Sequence, residues 1–173
     1  IEDKKNIFIH PIQGEIRAEL KTLKLNRKLK TKNLSDFASK CHKLHIDIAL
    51  VVENTESELF EIIIFEVKNT KTPLGLTQLS QLIGYCLVSN ASFGILINID
   101  YGCSDEFKDI LNTDKDLTNI KRLKEGVAVE HNFGVMIWQS HTEMMTYTNE
   151  GKILSIPMLC ELLSARLNPS PPA

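Results

Sequence analysis

Two apolar, β-branched runs dominate the middle of the chain: HIDIALVVE at 45–53 and LFEIIIFEVK at 59–68. The polar stretch 54–58 between them reads as a turn, so the pair predicts a β-hairpin. Residues 70–76 contain Pro73 and Gly75 and read as a loop. After it, Leu79, Leu82, Ile83, Cys86 and Leu87 recur at helical spacing and predict a helix over 77–89. The short apolar run 93–99 predicts a buried strand. Upstream, Ile16, Leu20 and Leu23 predict a helix over 13–25, and Ser35 is a plausible N-cap for a short helix reaching about residue 41.

Beyond Asp100 the periodicity weakens. Short amphipathic helices are expected at 104–111 and 116–124, and strands at 133–138, 144–148 and 152–156. A closing helix over 157–167 begins with a proline in its first turn. This order of elements predicts an α/β fold, a mixed central β-sheet flanked by helices. No internal repeat is visible.

Composition narrows the class. The 173 residues suit one domain, expected over 1–167, with the Pro-rich 168–173 as a disordered tail or linker. The chain opens on Ile1 rather than methionine, as a fragment or processed protein does. A hydrophobic share of 43% and a charged share of 24% are those of an ordinary globular protein. The net charge of −2 excludes a uniformly basic nucleic-acid binder. Between Arg17 and Lys43, however, nine basic residues face only two acids. Within that segment Lys21, Lys24, Arg27, Lys28, Lys30 and Lys32 are candidate phosphate contacts; the bland reading is a solvated helix face.

The four cysteines are scattered and form no Cys-x-x-Cys, which argues against a zinc ribbon or an iron–sulfur cluster. They read as reduced thiols of an intracellular protein, in cytoplasm or nucleus. No run of about 18 apolar residues is present, so no membrane partner is expected. The N-terminus lacks a signal-peptide core. His131, Trp138 and His141 lie close in sequence but lack ligand spacing and read as structural.

Candidate chemistry centres on an acid-x-lysine string. The string occurs six times, starting from Glu2, Asp3, Glu19, Glu66, Glu106 and Glu150, so alone it means nothing. Only the copy at Glu66 ends a buried strand, where strand periodicity places Glu66 and Lys68 on one face with Phe60, Ile62 and Ile64. Charges on such a face are costly unless satisfied; the bland reading is a strand emerging into solvent. Asp47 changes the balance, because it is a carboxylate in the neighbouring apolar run and the hairpin can bring it near Glu66. Two carboxylates ~4 Å apart repel by about 4 kcal/mol at an effective dielectric of about 20. A divalent cation removes that repulsion, and hard oxygen ligands suit Mg2+ or Mn2+. On the following helix Gln81 and Tyr85 share a face, with Gln78 three residues before Gln81.

Asp47, Glu66-Val67-Lys68 and Gln81-Leu82-Ile83-Gly84-Tyr85 together resemble the PD-(D/E)xK restriction-endonuclease-like nuclease superfamily, in its RecB-like form with a Gln-x-x-x-Tyr motif. The resemblance covers about residues 13–99. It implies a helix–strand–strand–helix–strand core and Mg2+- or Mn2+-dependent hydrolysis of phosphodiesters. Asp47 and Glu66 would be metal ligands, Lys68 would position or polarise water, and Gln81 and Tyr85 would support them. The family often carries a glutamate on the first helix, for which Glu15 is preferred over Glu19. His45, two residues before Asp47, is either a further ligand or structural. Ile46 stands where many members have proline.

The expected activity is a metal-dependent nuclease, with DNA favoured over RNA. The alternatives are an RNA endonuclease of the cap-snatching type and an inactive nucleic-acid-binding or scaffold domain on the same fold. Relatives of this kind act as homodimers or as modules of larger proteins.

Overall fold

In the computed structural model, residues 7–13, 37, 40, 44–54, 56, 57 and 59–169 are described. The strands are β1 (Ile7–Gln13), β2 (Ile48–Asn54), β3 (Leu59–Lys68), β4 (Phe93–Ile99), β5 (Asn119–Lys124), β6 (Val127–Gln139) and β7 (Met144–Gly151). The helices among the described residues are α1 (Leu76–Ser89), α2 (Asp105–Thr113) and α3 (Ile156–Leu167), with a 3-10 turn at Lys115–Thr118. All seven strands form one mixed sheet in the order β1-β2-β3-β4-β6, and β5 and β7 both pair with the far edge of β6. The β1/β2 and β2/β3 pairs are antiparallel, whereas β3/β4 and β4/β6 are parallel. None of the described helices is long and apolar enough to cross a membrane.

Side chains alternate between the two sheet faces. Ala49, Val51, Ile62, Ile64 and Leu96 pack on one face with Leu79, Leu82 and Cys86 of α1 and Phe107 and Leu111 of α2. Val52, Ile63, Phe93, Ile95 and Ile97 pack on the other with Leu159, Leu163 and Leu167 of α3. The sheet is thus sandwiched between helices, the architecture the order of elements predicts. Covering on both faces explains why β4 reads as an unbroken apolar run rather than an alternating one.

Local chemistry sets the helix boundaries. The Gly75 N–H donates to the Gln78 side chain at 2.9 Å, so Gln78 caps its own helix instead of joining a stripe with Gln81. Asn90 ends α1 in the left-handed conformation, and Arg122 donates to Leu87 O at 2.9 Å and Asn90 Oδ1 at 3.0 Å there. Ser104 and Ser155 cap α2 and α3 by accepting from the N–H groups of Phe107 and Met158. Close approach of α1 to the sheet depends on Gly94, where an added Cβ would lie 2.7 Å from the Phe133 ring and 2.9 Å from Cys86 Sγ.

Two sequence expectations are corrected, and one strand is added. Residues 119–124 form strand β5 rather than the end of a helix, because full-length pairing with β6 outweighs helical propensity. The charges of Lys121, Arg122 and Lys124 suit an edge strand. Residues 152–155 form no strand: Lys152 and Ile153 both donate to Phe133 O at 3.1 Å, Gly151 has φ +110, and α3 then starts at Ile156. Strand β1 was not anticipated, and it carries Pro11, which an edge strand tolerates. The helices expected over 13–25 and from Ser35 to 41 fall mostly outside the described residues; Phe37 is described and buried in the α1-side core.

Candidate active site

The ladder between β2 and β3 ends at the pair Ile48↔Phe65. The next residues in the same register are Asp47 and Glu66. Because Ala49 and Ile64 point to the α1 face, alternation puts Asp47 and Glu66 there too. Asp47 is exposed and sits just ahead of β2, not within a strand as the sequence run implied. Its Oδ2 accepts a hydrogen bond from Val67 N at 2.8 Å.

Glu66 continues the Ile62, Ile64 face and is only 1% exposed. Lys68 donates to Glu66 Oε1, whereas Glu66 Oε2 is buried with no hydrogen-bond partner among the described residues. Burial holds the Glu66 carboxyl above the usual carboxylate range; the hydrogen bond from Lys68 opposes the shift, and the nearby Asp47 charge adds to it. Lys68 is 21% exposed at its side chain and also donates to Gln81 Oε1 at 3.3 Å. Gln81 in turn donates from Nε2 to the Tyr85 hydroxyl at 2.7 Å. One polar chain therefore runs from Glu66 through Lys68 and Gln81 to Tyr85, linking β3 to α1. Leu79, Leu82 and Cys86 anchor the helix that presents it.

The structure thus brings together Asp47, Glu66, Lys68, Gln81 and Tyr85. His45 is exposed and precedes Asp47 by two residues. Glu15, Glu19, Lys21, Lys24, Arg27, Lys28, Lys30 and Lys32 lie outside the described residues. Among the described residues no group of three or more His, Cys, Asp or Glu converges. The described residues supply two carboxylates, Asp47 and Glu66, the latter with a buried oxygen that has no partner among them. That donor set fits a hard divalent cation which takes its other ligands from water and substrate oxygen, as Mg2+ does. It does not fit a closed structural site for a softer metal.

One residue of this face was passed over in the sequence. Asn98 is 0% exposed in an otherwise apolar strand and is the register partner of Lys68 on β4. Its Nδ2 donates to Thr72 O at 3.0 Å, and its Oδ1 is buried without a partner among the described residues. The available signal was an amide inside a run of buried aliphatic residues. Opposite it, the loop after β3 is tied to the loop after β4: Leu74 N donates to Gly102 O at 2.8 Å and Ser104 N to Leu74 O at 2.9 Å. Both loops border the carboxyl ends of parallel strands, where open α/β sheets place their ligands.

No family model, curated protein or solved structure matches the chain.

Proposed function

We propose that the protein is a divalent-metal-dependent nuclease that hydrolyses phosphodiester bonds, DNA in preference to RNA, on a restriction-endonuclease-like core. The observation that carries this reading is Glu66: a buried carboxylate with one oxygen unpartnered among the described residues, next in register to Asp47 and ion-paired to Lys68. A buried, half-satisfied carboxylate beside a second acid is destabilising on its own. A site whose charge is completed by a bound cation accounts for it. Support also comes from β2, β3, α1 and β4, which follow the strand–strand–helix–strand order that the resemblance implies.

In this reading Asp47 and Glu66 hold Mg2+ or Mn2+. When bound, the ion supplies an acidified water and charge stabilisation at the phosphoryl group. Lys68 contributes a fixed positive charge toward the oxygens on which negative charge develops. Gln81 limits where that ammonium can point, and Tyr85 orients the Gln81 amide. Asp47, tied to the backbone of Val67, is held against β3 without spending its second oxygen on that bond. Burial of Cys86 as a free thiol agrees with an intracellular setting.

The decisive experiment is a cleavage panel of labelled single- and double-stranded DNA and RNA, each with Mg2+, with Mn2+ and with chelator. Cleavage confined to the metal-containing reactions, and strongest on DNA, is expected. Absence of cleavage on all substrates with either ion overturns the proposal.

A further inference from the structure

Lys68 makes two contacts in the site, with Glu66 and with Gln81. An ammonium has three donors, so one N–H of Lys68 has no acceptor among the described residues. On the adjacent strand, Asn98 has the complementary deficit. It is fully buried, its Nδ2 is used by Thr72 O, and its Oδ1 accepts nothing from the described residues. A buried acceptor left unmade is costly, so each such group asks for an explanation. Register partners of parallel strands stand on the same face, and Lys68 and Asn98 are register partners. Leu96, the partner of Glu66, packs on the α1 face, which places Asn98 on that face as well.

We propose that Asn98 is a positioning residue that receives the Lys68 ammonium when a divalent cation takes Glu66. This inference rests on the metal-dependent reading of the site. Without the ion, Lys68 acts as a tethered internal cation and occupies Glu66 Oε1. With Asp47 and Glu66 committed to a divalent ion, Lys68 would lose Glu66 Oε1 as its acceptor and its ammonium would be repelled. Gln81 alone offers one acceptor to a displaced three-donor group. Asn98 Oδ1 supplies the second from the neighbouring strand, so the charge stays at the site instead of swinging into solvent. Its other amide group is fixed by Thr72 O, which holds the carbonyl oxygen in a set orientation. Asn98 therefore affects both metal affinity and the final position of Lys68, while touching neither metal nor substrate.

The test is Mn2+ binding by titration calorimetry on the full chain, for wild type, Asn98→Leu, Lys68→Met and the double variant. Lys68→Met removes the competing cation and is expected to bind Mn2+ more tightly than wild type. Asn98→Leu is expected to weaken binding about 10-fold, the lower end of what loss of an outer-shell partner costs. In the Lys68→Met background the same change should alter affinity by less than about twofold, the limit of simple additivity. Asn98→Ser replaces Asn98→Leu throughout if the leucine variant does not fold. An equal effect of the Asn98 change in both backgrounds, or no effect in either, overturns the role of Asn98. A wild-type protein that binds no Mn2+ overturns both this inference and the metal-dependent reading. Binding with the expected coupling but without cleavage of any nucleic acid overturns the nuclease reading and supports Asn98.

Discussion

The Asp47 carboxylate takes the Val67 backbone N–H at 2.8 Å, two residues past Phe65, the last β3 residue paired with β2. A side chain thus replaces the backbone acceptor that a longer β2 would have supplied. The acid is thereby fixed beside Glu66 even though it stands in an exposed segment. Asp47→Asn retains an oxygen for Val67 but removes the charge. It is expected to leave the melting temperature close to wild type while weakening Mn2+ binding by more than about 10-fold. Asp47→Ala should weaken binding similarly and lower the melting temperature as well. Calorimetry and thermal melts together separate the two roles.

Glu66 links stability, pH and metal. Its folded-state pKa is raised, chiefly by burial, so the folded protein retains this proton to higher pH than the unfolded chain. The contribution of that group to stability is fully present at low pH and is lost as pH rises through the raised value. Glu66→Gln is therefore expected to melt higher than wild type at neutral pH without metal. With Mn2+ at 100 times its dissociation constant, wild type should gain about 2.7 kcal/mol and the variant nothing. Mn2+ affinity of wild type should rise with pH through the same range, because the ligand must lose its proton. A Glu66→Gln protein still stabilised by Mn2+ would remove Glu66 from the ligand set.

Lys68 is predicted to matter for rate more than for fold. Lys68→Ala should retain the wild-type circular dichroism spectrum and lose about 10²–10³-fold in cleavage rate, as other losses of preorganised charge do. Full activity of the variant would exclude the role assigned to the lysine.

His131, at the opposite end of the parallel strands, provides a test independent of the active site. It is fully buried and its Nδ1 bonds to Ala91 O at 2.7 Å. Burial pushes its pKa down, the bond to Ala91 opposes this, and Arg122, Arg166 and Lys124 push it further down. The stability associated with a neutral His131 is present above the unfolded value of about 6.5 and is lost as pH falls through the folded one. His131→Asn should flatten that acid-side loss in urea titrations at a series of pH values; an unchanged slope would count against this account.

Gly94→Ala probes how α1 is seated. The new methyl would meet the Phe133 ring at 2.7 Å and Cys86 Sγ at 2.9 Å, both inside the core. A loss of about 1–3 kcal/mol in unfolding free energy is expected, as for other overpacked cores. Because α1 carries Gln81 and Tyr85, cleavage should fall as well. A variant as stable as wild type would show that the helix can lift at no cost.

The β2–β3 hairpin, α1 and β4 are legible in the chain because each carries its own period or its own punctuation. The runs at 59–68 and 93–99 match β3 and β4, and the loop with Pro73 and Gly75 leads into α1 as expected. Residues 119–124 were misread because their identity as a strand comes from β6, their partner, and not from their own pattern. Lys152 and Ile153 were misread for the converse reason: their apolar context suggests a strand, but both N–H groups turn onto one carbonyl, Phe133 O.

What the amino-acid order determined by itself was the set of locally periodic elements and the residue types available to them, including Asp47, Glu66, Lys68, Gln81 and Tyr85. Local periodicity needs only near neighbours, so it survives without knowledge of the fold. Tertiary structure alone decided how deeply Glu66 is buried, that its Oε2 has no partner among the described residues, and that Asn98 stands beside Lys68. Those properties depend on desolvation and cross-strand register, which are set by residues tens of positions away along the chain.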